Sequence, residues 1–230
     1  MEIDFYSPVL TQPILFELPN VATGAVELFP ALWRAIEDLI SPDVEIRRSG
    51  LKSLHTLGAG RLSPVAAYFL VTRLNEPVVE LRAQIVQLLG DLLMPDAAGH
   101  VLPEDVRRVI VTSVSQICRR DICGLLEMLV EYPAQEAALF HLLKLNPFAG
   151  VQMADILTDK QIAIAVRMKA AHLIGMIGYL DAIPTLEKLQ SRLDGRRSGQ
   201  QTMLFAPSGA AEEAQLLPIV RNTLAMLKSP

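Results

Sequence analysis

The chain is poor in aromatic residues, in charge and in cysteine. Phe, Trp and Tyr make up 5% of its 230 residues, with a single tryptophan. That excludes the vocabulary of sandwiches and barrels, whose strands alternate β-branched and aromatic side chains. Charged residues make up 20% against 51% apolar, which leaves enough apolar surface for a real core and argues against global disorder. A basic excess is also missing. The formal net charge is −4 and the sequence pI about 5.6, whereas duplex-binding proteins draw their affinity from neutralising phosphates. Mean hydropathy is high, at +0.33. Even so, no window reaches about 18 uncharged apolar residues, so no transmembrane helix is expected. The acidic start Met1-Glu2-Ile3-Asp4 lacks the basic region of a secretory signal. Cys118 and Cys123 sit five apart, which is not the Cys-x-x-Cys of redox or zinc sites. They are expected to be reduced thiols with structural roles, in a cytoplasmic protein.

What the chain does have is helical punctuation. In residues 1–22, Pro8, Pro13 and Pro19 forbid a continuous helix, and the apolar run 13–18 has strand character. This segment is expected to be an extended arm, packed along the first helices or docked on a neighbouring subunit as a homo-oligomer contact. From Thr23 to the end, residues 23–230, the pattern predicts about eleven helices joined by short turns. The first runs from Thr23 to Ile40, with Pro30 marking a kink. Ser41-Pro42-Asp43 offers an N-cap, a proline at the first helical position and an acidic first turn. Ser63-Pro64, Asn75-Glu76-Pro77 and Pro103-Glu104-Asp105 open further helices, and a loop is expected at 94–102. A second, long loop is expected at 194–210, polar and glycine-bearing; a loop of that length in a compact domain is usually functional or disordered.

Three apolar–arginine pairs stand ahead of helical stripes that close on glycine. They are Ile46-Arg47 with Gly58, Leu81-Arg82 with Gly90, and Val166-Arg167 with Gly178, and the first two arginines are 35 residues apart. A repeat of that length usually builds a solenoid from helix pairs. The segment 164–189 carries the pattern most fully: Val166-Arg167, Ala170-Ala171, Ile174-Gly175, Ile177-Gly178, then Asp181-Ala182-Ile183-Pro184. It resembles a HEAT repeat of the short bacterial variety found in phycobilin lyases. That resemblance implies an all-α fold, an α-solenoid of stacked antiparallel helix pairs, and says almost nothing about activity. Residues 103–158 lack the arginine–glycine signature. The arginines themselves need no ligand: the stem can cover apolar surface while the guanidinium reaches acidic residues or free carbonyls. Asp43 and Glu45 are the expected partners of Arg47, and Glu80 that of Arg82.

No catalytic constellation emerges. Ser49-Gly50-Leu51-Lys52 has Ser-x-x-Lys spacing without the companion motifs of serine acyl-enzymes, and Gly58-Ala59-Gly60 lacks the third glycine of a dinucleotide loop. His55, His100, His141 and His172 are dispersed; only His100, with Asp96 nearby, could join a metal site, and it would need further ligands. No cofactor or metal is expected, and the protein is expected not to be an enzyme. The late loop is a candidate partner-binding tip, where Arg192, Arg196 and Arg197 stand beside Met203, Leu204 and Phe205; the alternative is that Leu204 and Phe205 fold back to seal the end of the solenoid. Trp33, between Leu32 and Ile36, is expected to be buried. The leading expectation is a scaffold that binds a partner protein. Nucleic-acid handling and a chromophore-attachment subunit are the alternatives.

Overall fold

In the computed structural model the described residues are 23–200, 213 and 215–229, with side chains at 29–195, 213 and 215–229. Among them the fold is all-α, with no strand. The helices are α1 Thr23–Leu39, α2 Val44–Thr56, α3 Ala59–Leu62, α4 Pro64–Thr72, α5 Val79–Leu93 and α6 Glu104–Val114. They continue as α7 Arg119–Glu131, α8 Glu136–Leu143, α9 Ala149–Thr158, α10 Ile164–Ile177, α11 Ile183–Gln200 and α12 Leu216–Lys228.

Local chemistry explains most of the boundaries and corrects several. Asp43, not Ser41, caps α2: its Oδ1 accepts from the backbone N–H of Glu45 at 2.7 Å and of Ile46 at 3.2 Å. Ser63 caps α4, with Pro64 at the first helical position. Gly58, at φ 61°, turns the chain straight into the one-turn helix α3, and Gly178 closes α10 at φ 86°. Gly90 does not close a helix, because α5 runs on to Leu93. Leu157 and Thr158 end α9, with Asp159 as its C-cap. The Asp159 carboxylate then accepts from Gln161 N–H at 2.9 Å in the turn before α10. The expected loop at 194–210 begins too early, since α11 stays helical through Gly195 to Gln200. The rest of that loop, with Met203, Leu204 and Phe205, and the arm 1–22 lie outside the described residues.

Among the described residues, every helix pair with substantial contact is separated by no more than three places in chain order. Three of the most extensive contacts close on glycine. A Cβ added at Gly50 of α2 would lie 2.6 Å from Leu39 N and 2.8 Å from Ala35 O of α1. At Gly90 of α5 it would lie 2.5 Å from Ala138 Cβ of α8, and at Gly175 of α10 3.3 Å from Thr223 Cγ2 of α12. Thr223 Oγ also donates to Ala171 O at 2.9 Å. The three pairs α1–α2, α5–α8 and α10–α12 are therefore packed backbone to backbone over a core of Leu, Ile, Val and Ala. Trp33 is not in that core: it is 44% exposed and stacked on Phe29, while Ile36 takes the buried face of α1.

The repeated arginines tie the turns. Arg47 is buried and donates from Nη1 to Ser41 O at 3.1 Å and Pro42 O at 2.9 Å; its Nη2 reaches Glu76 Oε1 at 2.7 Å. Arg73 donates to the other oxygen of Glu76 at 2.8 Å. Arg82 donates from Nε to Glu76 O at 2.8 Å and from Nη1 to Gly124 O at 2.7 Å, and Arg167 donates from Nε to Leu157 O at 2.8 Å. The carboxylate partners expected within each repeat are not the ones used. Glu45 and Glu80 both pair with Arg48, at 2.5 and 3.0 Å, and Glu76, drawn from the following turn, serves Arg47 instead. An acid placed across the turn can be buried with its arginine, whereas Glu45 and Glu80 remain on the surface.

Candidate binding face

On one side of the molecule α2, α5, α8, α10 and α12 follow one another, and the contacts between them alternate. α5 with α8 and α10 with α12 pack closely, while α2 with α5 and α8 with α10 touch sparingly. A groove lies at each sparing joint. The first, about 310 Å³, is lined by Leu51, Lys52 and His55 of α2 and by Gln84, Gln87, Leu88 and Asp91 of α5, with Gln135 at its end. The second, about 610 Å³, runs over α10 (Ala165, Met168, Lys169, His172). Its walls are Val130 and Glu136 on one side and Pro218, Ile219 and Asn222 of α12 on the other. Gln135, just before α8, lines the first groove, and its chain neighbour Glu136 lines the second. Volumes in this range suit a few inserted side chains or a small ligand.

The second groove has apolar walls around one polar cluster. Glu136 Oε2 accepts from Lys169 Nζ at 2.7 Å, and Glu136 Oε1 lies 3.1 Å from His172 Nε2. The hydrogen bond from Lys169 holds the Glu136 carboxyl below its ordinary range; partial burial opposes this, and His172 adds to it. Glu136 thus stays ionised and links α8 to α10 where apolar packing between them is thin. In the first groove the Asp91 carboxylate accepts from Gln87 Nε2 at 2.8 Å. The lining of neither groove includes a serine, threonine or cysteine.

The residues singled out from the sequence fall elsewhere. Arg192 is exposed on α11, and Arg196 and Arg197 continue the same helix, their side chains outside the described residues. Arg167, the last of the repeated arginines, is buried, which lowers its guanidinium from its ordinary value; Arg192 pushes the same way, against Glu213 and Asp159. His100 Nδ1 and Asp96 Oδ2 are 3.2 Å apart on an exposed loop, and Asp96 is held down chiefly by the backbone N–H of His100. No group of three or more His, Cys, Asp or Glu that could hold a metal ion occurs among the described residues. Cys118, exposed, sits at the N-cap of α7 in a reciprocal box with Asp121, and burial pushes the Cys123 thiol up. Ser49 and Lys52 are exposed on α2, whose Gly50 is pressed against α1.

Sequence reasoning missed both grooves. Glu136 meets Lys169 and His172 across 33 and 36 residues, and no local pattern announces that meeting. One signal was there to find: Lys-x-x-His occurs twice, at 52–55 and at 169–172, and helical spacing puts each pair on one side.

No helix among the described residues is long and apolar enough to cross a membrane. No protein-family model, curated protein or solved structure matches the chain.

Proposed function

We propose that the protein is a HEAT-like α-solenoid that holds a partner protein on the face formed by α2, α5, α8, α10 and α12, without chemistry of its own. The observation that carries this reading is the pair of grooves between glycine-closed helix pairs. A surface of this kind offers apolar walls of Met, Val, Ile and Pro around a few fixed polar groups, the composition of a protein-recognition site. Packing confined to near neighbours in chain order and turns tied by arginine support the solenoid itself.

A photoreactive amino acid placed at Met168 in one groove, at Gln84 in the other, and at exposed Thr112 on α6 as a control tests it. In native lysate, the two groove positions are expected to yield a discrete cross-linked adduct that the control position does not. Adducts that are equally strong from Thr112, or none from either groove, would remove this face as the partner site.

A further inference from the structure

The two grooves carry the same short motif in different states. In α10 the structure shows what a lysine followed three places later by a histidine can hold. Lys169 and His172 share one carboxylate, taking one oxygen each at 2.7 and 3.1 Å. In α2 the same pair, Lys52 and His55, lines the first groove, and both side chains are exposed. Neither makes an ion pair or side-chain hydrogen bond with any described residue, although each has the same donors as its counterpart. Asp91, the acid of that groove, is engaged by Gln87. The remaining polar lining is amide: Gln84, whose Nε2 donates to Glu80 Oε1 at 3.4 Å and keeps a second N–H, and Gln135.

We propose that Lys52 and His55 form a receptor for a carboxylate side chain, so that the groove between α2 and α5 takes an acidic peptide segment of the partner. This rests on the reading of the face as a partner-binding surface and adds the chemistry of what binds there. The carboxylate takes the place in α2 that Glu136 occupies in α10, and half-buried Leu88 offers an apolar contact to the side chain beside it.

The probe is a fluorescein-labelled oligoglutamate peptide, titrated against the full chain by anisotropy at low ionic strength, where exposed charge pairs are least screened. Saturable binding with one site is expected. It should weaken about fivefold or more in the K52M/H55Q double variant, as the loss of two exposed charge-assisted contacts implies. R107Q/R108Q, which removes two positive charges from exposed positions on α6, should leave it unchanged. In E136A the α10 pair loses its own carboxylate, and the stoichiometry should rise to two. Circular dichroism and a thermal melt of each variant exclude unfolding as the cause of a loss. Four results would overturn the proposal: no saturable binding, equal binding by K52M/H55Q, an equal loss in R107Q/R108Q, or a stoichiometry that stays at one in E136A. Cross-linking from Met168 and Gln84 separates the two levels. If it persists when the peptide result fails, the carboxylate receptor is wrong and the partner face stands; if it is lost as well, both fall.

Discussion

Replacing Gly90 by alanine sets two effects of opposite sign against each other, and the geometry decides between them. Alanine favours the helix over glycine by about 1 kcal/mol. The new Cβ, however, would lie 2.5 Å from Ala138 Cβ and 2.6 Å from Ala138 Cα. Carbon atoms settle at about 3.5–4.0 Å, so α5 and α8 must part by about 1 Å. Val86, Leu89, Leu139 and Leu142 beside the contact are at most 1% exposed and leave no slack to absorb that movement. Overpacking of this kind costs about 1–3 kcal/mol, occasionally more. With Ala138 Cα itself in the way, the upper part of that range applies, about 2–3 kcal/mol. The expected balance is therefore a loss of about 1–2 kcal/mol, or a fall in Tm of about 2–8 °C for a chain of this size. Circular dichroism on heating and urea titration would measure it. A138G should rescue G90A only in part, because it removes the Cβ at 138 and leaves the Cα at 2.6 Å. G58A is the contrasting control: nothing lies within 4 Å of its added Cβ, and the cost comes from the left-handed backbone at φ 61° alone, about 1–2 kcal/mol. A Tm for G90A at or above the wild-type value would show that helix propensity outweighs the contact and that α5 and α8 are free to move apart.

Two further perturbations follow from buried polar groups. Arg47→Met leaves the Glu76 carboxylate, whose side chain is 1% exposed, with Arg73 as its remaining cation. The loss should be about 3 kcal/mol in urea titration, and adding E76Q should recover part of it; a loss below about 1 kcal/mol would mean that Arg73 and water suffice. Tyr179→Phe removes an O–H that donates to Leu143 O at 2.5 Å and Asn146 O at 3.0 Å, for about 1–2 kcal/mol at neutral pH. Burial pushes that phenol up to about 12. Above the unfolded value of about 10 the unfolded chain ionises first, so the tyrosine's contribution is intact below pH 10 and drains away towards pH 12. The difference between wild type and Y179F should shrink across that window, and a constant difference would contradict the assignment.

Helix type and number were legible because the signals are local. Ser63-Pro64 and Pro103 mark starts that a single turn of backbone enforces, and Gly178 marks an end through its positive φ. Boundaries slipped where a side chain had a choice of partner. Asp43 outcompeted Ser41 for the α2 cap, and Glu76 turned inward to Arg47 rather than opening α5. Gly90 was misread for a related reason: a glycine at the end of an apolar stripe suits a helix stop, but only the approach of α8 shows that it is a packing position. Trp33 was expected inside because its neighbours are apolar, yet the face of α1 is chosen by Ala35, Ile36 and Leu39, and position 33 falls outside it. Of the candidate site, Lys-x-x-His was written in the sequence. The grooves beside it were not, because they exist only through the spacing of helices far apart in the chain.

Packing that reaches no more than three helices along the chain also governs how the protein comes apart. Among the described residues α2 and α12 have no substantial packing partner in common, so the effects of substitutions in the two on stability should simply add. The order of assembly is similarly unconstrained. Among the described residues no substantial helix contact joins α1 or α2 to α11 or α12, so any glycine-closed pair can form first and recruit the next. A protein built this way can lengthen by a unit, or lose one, without redesigning the rest.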